Sequence, residues 1–148
     1  MATYTQLIYH IVFSTKYREK VLVKAQRPEL FRYIWGIIKN RKGHLYRING
    51  VEDHIHILTS LPTTENIADF VKTIKTSSNI WIKDNEIFPQ FKNWQNGYGA
   101  FTVSAYEKNG LIEYIKNQEI HHQKQTFEYE YRQLLKQHDI EFREEYLF

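Results

Sequence analysis

The sequence predicts an α+β domain: a four-stranded, mostly antiparallel sheet with helices on one face. Three observations predict it. Runs rich in β-branched and aromatic residues alternate with helical periodicities in the order strand, helix, strand, strand, helix, strand, helix. The length, 148 residues, suits one core. No internal repeat, low-complexity linker or break in composition marks a second domain.

Residues Tyr4 to Ser14 alternate partially with a period of two and predict the first strand. A polar, basic turn over 15–20 follows. Pro28 suits the first turn of a helix, where its missing N–H costs little, and Leu30, Ile34, Ile37 and Ile38 recur at helical spacing. Lys39, Arg41 and Lys42 complement the helix dipole before a stop near Gly43. Leu45 to Ile48 and Asp53 to Ser60 predict two strands joined at Asn49-Gly50, a hairpin signal. After Pro62, Thr63 or Thr64 is the expected cap of a second helix, with Ile67, Val71, Ile74 and Ser78 on one face. Tyr98 to Val103 predicts the fourth strand. A helix over Lys108 to Lys124 and another helical stretch over Phe127 to Gln137 complete the chain. The first six elements match the split βαβ, ferredoxin-like pattern, which hosts many functions.

Composition narrows the function class. Hydrophobic residues at 42% and charged residues at 25% argue against disorder and coiled coil. With no cysteine there are no disulfides, thiolate zinc sites or cysteine nucleophiles, which is compatible with a reducing cytoplasm. No stretch reaches the ~20 apolar residues that span a bilayer. The N-terminus lacks a basic region before its apolar run, so a soluble, cytoplasmic, unprocessed protein is expected. The net charge of +3 conceals a division: residues 126–148 hold six acids and three bases, and the first 125 residues carry +6. A basic body favours polyanionic partners, and the acidic tail is expected to turn away from them.

Two local features carry chemistry. His54-Ile55-His56 lies on the third predicted strand, and side chains at i and i+2 share a face, so the two imidazoles form half of a divalent metal site. A pair of half-buried strand histidines is the plainer alternative, and Glu52 and Asp53 are a further source of oxygen ligands. Tyr114 and Gln118 stand at i and i+4 of the last long helix, pointing the same way, with His121 and His122 just beyond. Asn109-Gly110, ahead of the tyrosine, reads as a flexible hinge.

The chain resembles the single-tyrosine transposases of small bacterial insertion sequences, members of the HUH (His-hydrophobic-His) endonucleases, with REP-associated tyrosine transposases as close relatives. The likeness runs through Tyr9 to Arg18, Val51 to Leu58, Gly97 to Ser104, Tyr114 to Gln118 and the His121-His122 pair. It implies one transposase domain over 1–148: a ferredoxin-like core over 1–104, a tyrosine helix over 105–125 and an acidic tail over 126–148. It implies further that Tyr114 is the nucleophile and that His54, His56 and Gln118 bind Mg²⁺ or Mn²⁺. The implied activity cuts and rejoins single-stranded DNA with hairpin ends through a 5′-phosphotyrosine, without ATP. The implied assembly is a homodimer whose sites are completed in trans.

For phosphate contacts the candidates are Lys16, Arg18, Lys20, Arg41 and Lys42; for stacking on unpaired bases they are Tyr17, Trp94 and Tyr98. A non-catalytic single-strand binding module and a host-retained nicking relative are the alternatives. The histidine pair argues against the first, because a stacking platform needs aromatics there.

Overall fold

The computed structural model of the chain describes Met1–Phe148. Strand β1 (Ile8–Ser14) lies at the centre of one sheet between β3 (His54–Ser60) and β4 (Gly99–Val103), with β2 (His44–Gly50) outside β3. The order is β2-β3-β1-β4 and every pairing is antiparallel, as the ferredoxin-like pattern requires.

The β1–β3 register decides what each face carries. Ile11 pairs with Ile57 and Phe13 with Ile55, and these four face helices α1 (Arg27–Asn40) and α2 (Ile67–Asp84). Leu30, Ile34 and Ile38 from α1 and Phe70, Val71 and Ile74 from α2 complete the main apolar core. His10, Val12 and Ser14, paired with Leu58, His56 and His54, face the other side.

Three short helices cover that second face: α3 (Ala105–Lys116), α4 (Gln118–Lys124) and α5 (Phe127–Gln137). Two small apolar clusters seat them. Ile8 and Leu58 meet Ile115, while Val12 and Phe101 meet Phe127, Leu134 and Leu135. The sheet is therefore covered on both faces. No helix is long and apolar enough to cross a membrane.

Several boundaries differ from expectation for local reasons. Glu65 N–H donates to the Pro62 carbonyl, a turn that delays α2, so Asn66 rather than Thr63 or Thr64 caps it by accepting from Asp69 N–H. Strand β2 runs through Gly50, and the turn lies beyond it at Val51–Asp53. Gly50 is needed in the strand because a Cβ there would stand 2.5 Å from the His54 carbonyl oxygen. The long helix expected over Lys108–Lys124 starts earlier, at Ala105, and breaks at Asn117. Gly110 sits inside α3, so the expected hinge is continuous helix.

Candidate metal centre and tyrosine

The strand period places both histidines where the sequence predicts. His54 and His56 project from β3 onto the face beneath α3–α5, and both are almost fully buried. Each is oriented from behind. Asp53 stands 2.7 Å from His54 Nδ1, so Nδ1–H donates to that carboxylate and Nε2 is turned toward the site. His56 Nδ1 lies 2.8 Å from His10 Nε2, and the two rings stack at 5.1 Å. Burial, with His56 beside it, holds His10 well below the usual imidazole pKa, so it is neutral at pH 7.

The tyrosine arrives by a different route. Ser104 alone joins β4 to α3, and it forms a capping box with Glu107 that pins the helix start. Leu111, Ile112, Tyr114 and Ile115 then pack on Ile8, Leu58, Tyr46 and Val103. This docking sets the Tyr114 ring 6.3 Å from that of His56, and the His121 ring stacks on Tyr114 at 4.5 Å. The helical break at Asn117 keeps Gln118 on the same side as Tyr114, and Gln118 Oε1 stands 3.3 Å from His54 Nε2.

All of these groups converge on one carboxylate. Glu130 of α5 places Oε1 3.2 Å from His54 Nε2 and 3.1 Å from His56 Nε2. Its Oε2 accepts from the Tyr114 hydroxyl and, at 3.2 Å, from Gln118 Nε2–H. Burial would push the Glu130 pKa up, but hydrogen bonds from His54 and His56 outweigh it and hold the carboxyl well below its ordinary range. For His54, burial pulls down while the Asp53 and Glu130 carboxylates lift its pKa above the ordinary value. Burial and the Glu130 charge both raise the Tyr114 phenol above its usual range. The nucleophile candidate is thus held neutral.

His54, His56 and Glu130 present ligand atoms within 4.8 Å of one another, a spacing that one divalent ion can bridge. Two imidazole nitrogens and a carboxylate, with the Gln118 amide oxygen nearby, form a mixed nitrogen and oxygen donor set of the kind that holds a divalent ion. The Asp53 contact behind His54 is the outer support such ligands commonly have.

The chain matches the family described as "Transposase IS200 like" over residues 3–118. It belongs to the IS200-like transposase family. The ISDra2 transposase TnpA of Deinococcus radiodurans is 29% identical over 122 residues, covering 76% of this chain and 84% of that protein. The transposase for insertion sequence element IS200 of Salmonella typhimurium is 24% identical over 115 residues, or 74% and 75% of the two chains. A crystal structure from Deinococcus radiodurans superposes with a TM-score of 0.63 at 27% identity, covering 80% of this chain and 95% of its own. A REP-associated tyrosine transposase bound to a REP hairpin shares the fold with the same TM-score at 16% identity, over 82% and 74% of the chains.

In this transposase one expectation needs correction. Within the single chain, Tyr114 and Gln118 stand beside His54 and His56. The acidic tail does not turn away from this site: Phe127, Leu134 and Leu135 dock α5 on Val12 and Phe101, and that places Glu130 in the centre. Glu130 falls on the same helical stripe as Phe127 and Leu134, so a charge at a core position was the available signal. His10, sharing a strand face with Ile8 and Val12, is a similar one.

The basic candidates divide between the two ends of the sheet. Lys16, Arg18 and Lys20 follow β1 at the end where His54 begins β3. Arg18 already pairs with Glu128 of α5 at 3.1 Å and lies over the Phe148 ring. Arg41 and Lys42 lie at the opposite end, beside the close of β3, and Arg41 is engaged by Glu65 and Thr73. Trp94 is buried in the main core, donating its indole N–H to Ser78 Oγ, whereas Tyr17 and Tyr98 are exposed.

Proposed function

We propose that this transposase cleaves and rejoins single-stranded DNA through Tyr114, using a divalent ion bound by His54, His56 and Glu130 with Gln118 beside them. The observation that carries the reading is the convergence of the Tyr114 hydroxyl, both histidine Nε2 atoms and the Gln118 amide on the one Glu130 carboxylate. Such convergence fits a centre where a phenol, a cation and a phosphate must meet.

In the proposed reaction Tyr114 Oη attacks the scissile phosphorus and the bond to the 3′ oxygen breaks. A 5′-phosphotyrosine and a free 3′-hydroxyl result, and a new 3′-hydroxyl can reverse the step, so no ATP is consumed. Mg²⁺ or Mn²⁺, when bound, supplies Lewis-acid polarisation of a non-bridging phosphate oxygen. Asp53 fixes the His54 tautomer and His10 buttresses His56. Glu130 orients the phenol and is placed to take its proton. Because His54 and His56 are buried beneath α5, entry of a phosphate requires Glu130 to yield one of its contacts.

The substrate we propose is single-stranded DNA with hairpin ends, as the hairpin-bound relative suggests. We retain the homodimer, with each chain using its own tyrosine. The single-strand binding module is less favoured, since a stacking platform needs an open sheet face and α3–α5 cover this one.

The test is to incubate the protein with Mn²⁺ and hairpin-bearing single strands from its genomic flanks, then look for a denaturation-resistant adduct. Wild type should form one. Tyr114→Phe and chelation should each abolish it, and His56→Ala should reduce it strongly. An adduct that survives Tyr114→Phe overturns the assignment. Mixing Tyr114→Phe with His56→Ala chains tests the geometry within one chain, because only assembly in trans would restore the adduct.

A further inference from the structure

We infer that the groove between α3 and α5 is a subsite for one unpaired nucleobase, that of the nucleotide beside the scissile phosphate. The inference rests on the function proposed above and goes beyond it by naming what reads the strand next to Tyr114.

The groove encloses about 490 Å³, within the ~300–1,000 Å³ range of small-ligand clefts. Tyr114 and Glu130 are among the residues that line it, so a molecule lying in it is beside the proposed nucleophile. Thr102 and Val103 of β4 contribute to its floor. On α5, Tyr129, Gln133 and Gln137 follow one another at intervals of four, which puts them on one stripe of the helix, and all three line the groove.

None of these three side chains makes a hydrogen bond within the protein, although most polar groups around the neighbouring carboxylate do. Tyr129 is half exposed, giving a ring on which a base can stack. Each glutamine offers a donor and an acceptor side by side, the pattern that matches the N6/N7 edge of adenine. On the α3 side, Gly110 leaves space: a Cβ there would have no neighbour within 4 Å. Helix α5 lies outside residues 3–118, the part of the chain matched to the family. The stripe therefore gives a base-sized groove with a stacking ring and two free amides, opening onto the phenol. Adenine is the base the amides fit best.

The experiment uses full-length Tyr114→Phe, which cannot form the adduct, with Mn²⁺ and hairpin-bearing strands in which 2-aminopurine replaces each base near the cleavage region in turn. One position should be quenched on binding. That quenching should be lost in Tyr129→Ala and in Gly110→Phe, which fills the groove from a position free of neighbours. In the background of active Tyr114, Gln133→Ala should lower adduct formation about ten-fold on the preferred strand. On a strand abasic at the quenched position, the same substitution should have no effect. If no position is quenched, or the quenching survives both groove variants, the subsite is overturned. It is also overturned if Gln133→Ala slows the abasic and intact strands equally. Loss of all adducts with wild type would refute the function proposed for Tyr114 and leaves the binding measurement to decide the subsite.

Discussion

The two faces of the sheet are built to opposite rules. Beneath α1 and α2, every large side chain from Ile11 and Phe13 to Ile55 and Ile57 is apolar and contributes to one continuous core. Beneath α3–α5 the apolar contacts fall into two small clusters, and between them lie His10, His54, His56, Gln118 and Glu130, each at most 5% exposed. Burying that many polar groups is unfavourable unless they satisfy one another, and here they do so around a single carboxylate. The first face secures the fold, whereas the second holds groups ready for chemistry at some expense in stability.

Substitutions should therefore separate along the same line. The largest effect is expected from Tyr114→Phe. Adduct formation should vanish, while urea unfolding shifts by about 1.5–3 kcal/mol, the worth of one hydrogen bond to a charged group. Leu30→Ala should do the reverse. Deleting most of a fully buried side chain costs ~2–5 kcal/mol, yet the adduct rate per folded molecule should match wild type. If Leu30→Ala instead impaired adduct formation in proportion to its stability loss, the two faces would be energetically coupled and the contrast would fail.

Glu130→Gln probes the polar face itself. Replacing the carboxylate removes a ligand and the charge beside the phenol, so Mn²⁺ affinity, as read by calorimetry, should fall by at least the ~10–100-fold that loss of an outer-shell partner costs. In the metal-free protein the Tyr114 phenol should titrate nearer the ordinary range, visible as the difference in alkaline absorbance between each protein and its Tyr114→Phe counterpart. The sign for stability follows from the same shift. With the folded phenol pKa raised, the contribution of neutral Tyr114 is present below the ordinary value near ~10 and is lost as pH climbs past it. Glu130→Gln should flatten that alkaline loss.

The apolar face was legible from sequence because it obeys periodicity. Leu30, Ile34 and Ile38 recur at helical spacing, and Val71, Ile74 and Ser78 do the same in α2. His54 and His56 were legible because strands alternate, and Tyr114 with Gln118 because helical spacing pairs them, although the structure brings them together across the break at Asn117. Glu130 was hidden because it stands in the acidic C-terminal segment, two residues after Glu128, and only the docking of Phe127 and Leu134 turns it inward. The break at Asn117 and the inward turn of α5 are likewise tertiary outcomes that local propensity does not encode.

The smallest effects test where DNA lies. Lys16 is exposed and follows β1 at the end of the sheet where His54 begins β3. Arg41 is held by Glu65 and Thr73 at the other end. If the strand reaches Tyr114 from the His54 end, Lys16→Ala should weaken binding of every strand alike and reduce the slope of log affinity against log salt by about 1. Arg41→Ala should leave that slope unchanged and cost at most about 1 kcal/mol of stability, since its ion pair with Glu65 is partly solvated. Equal salt slopes for the two variants would mean that DNA spans both ends of the sheet, and the division of the five cations would then have no functional meaning.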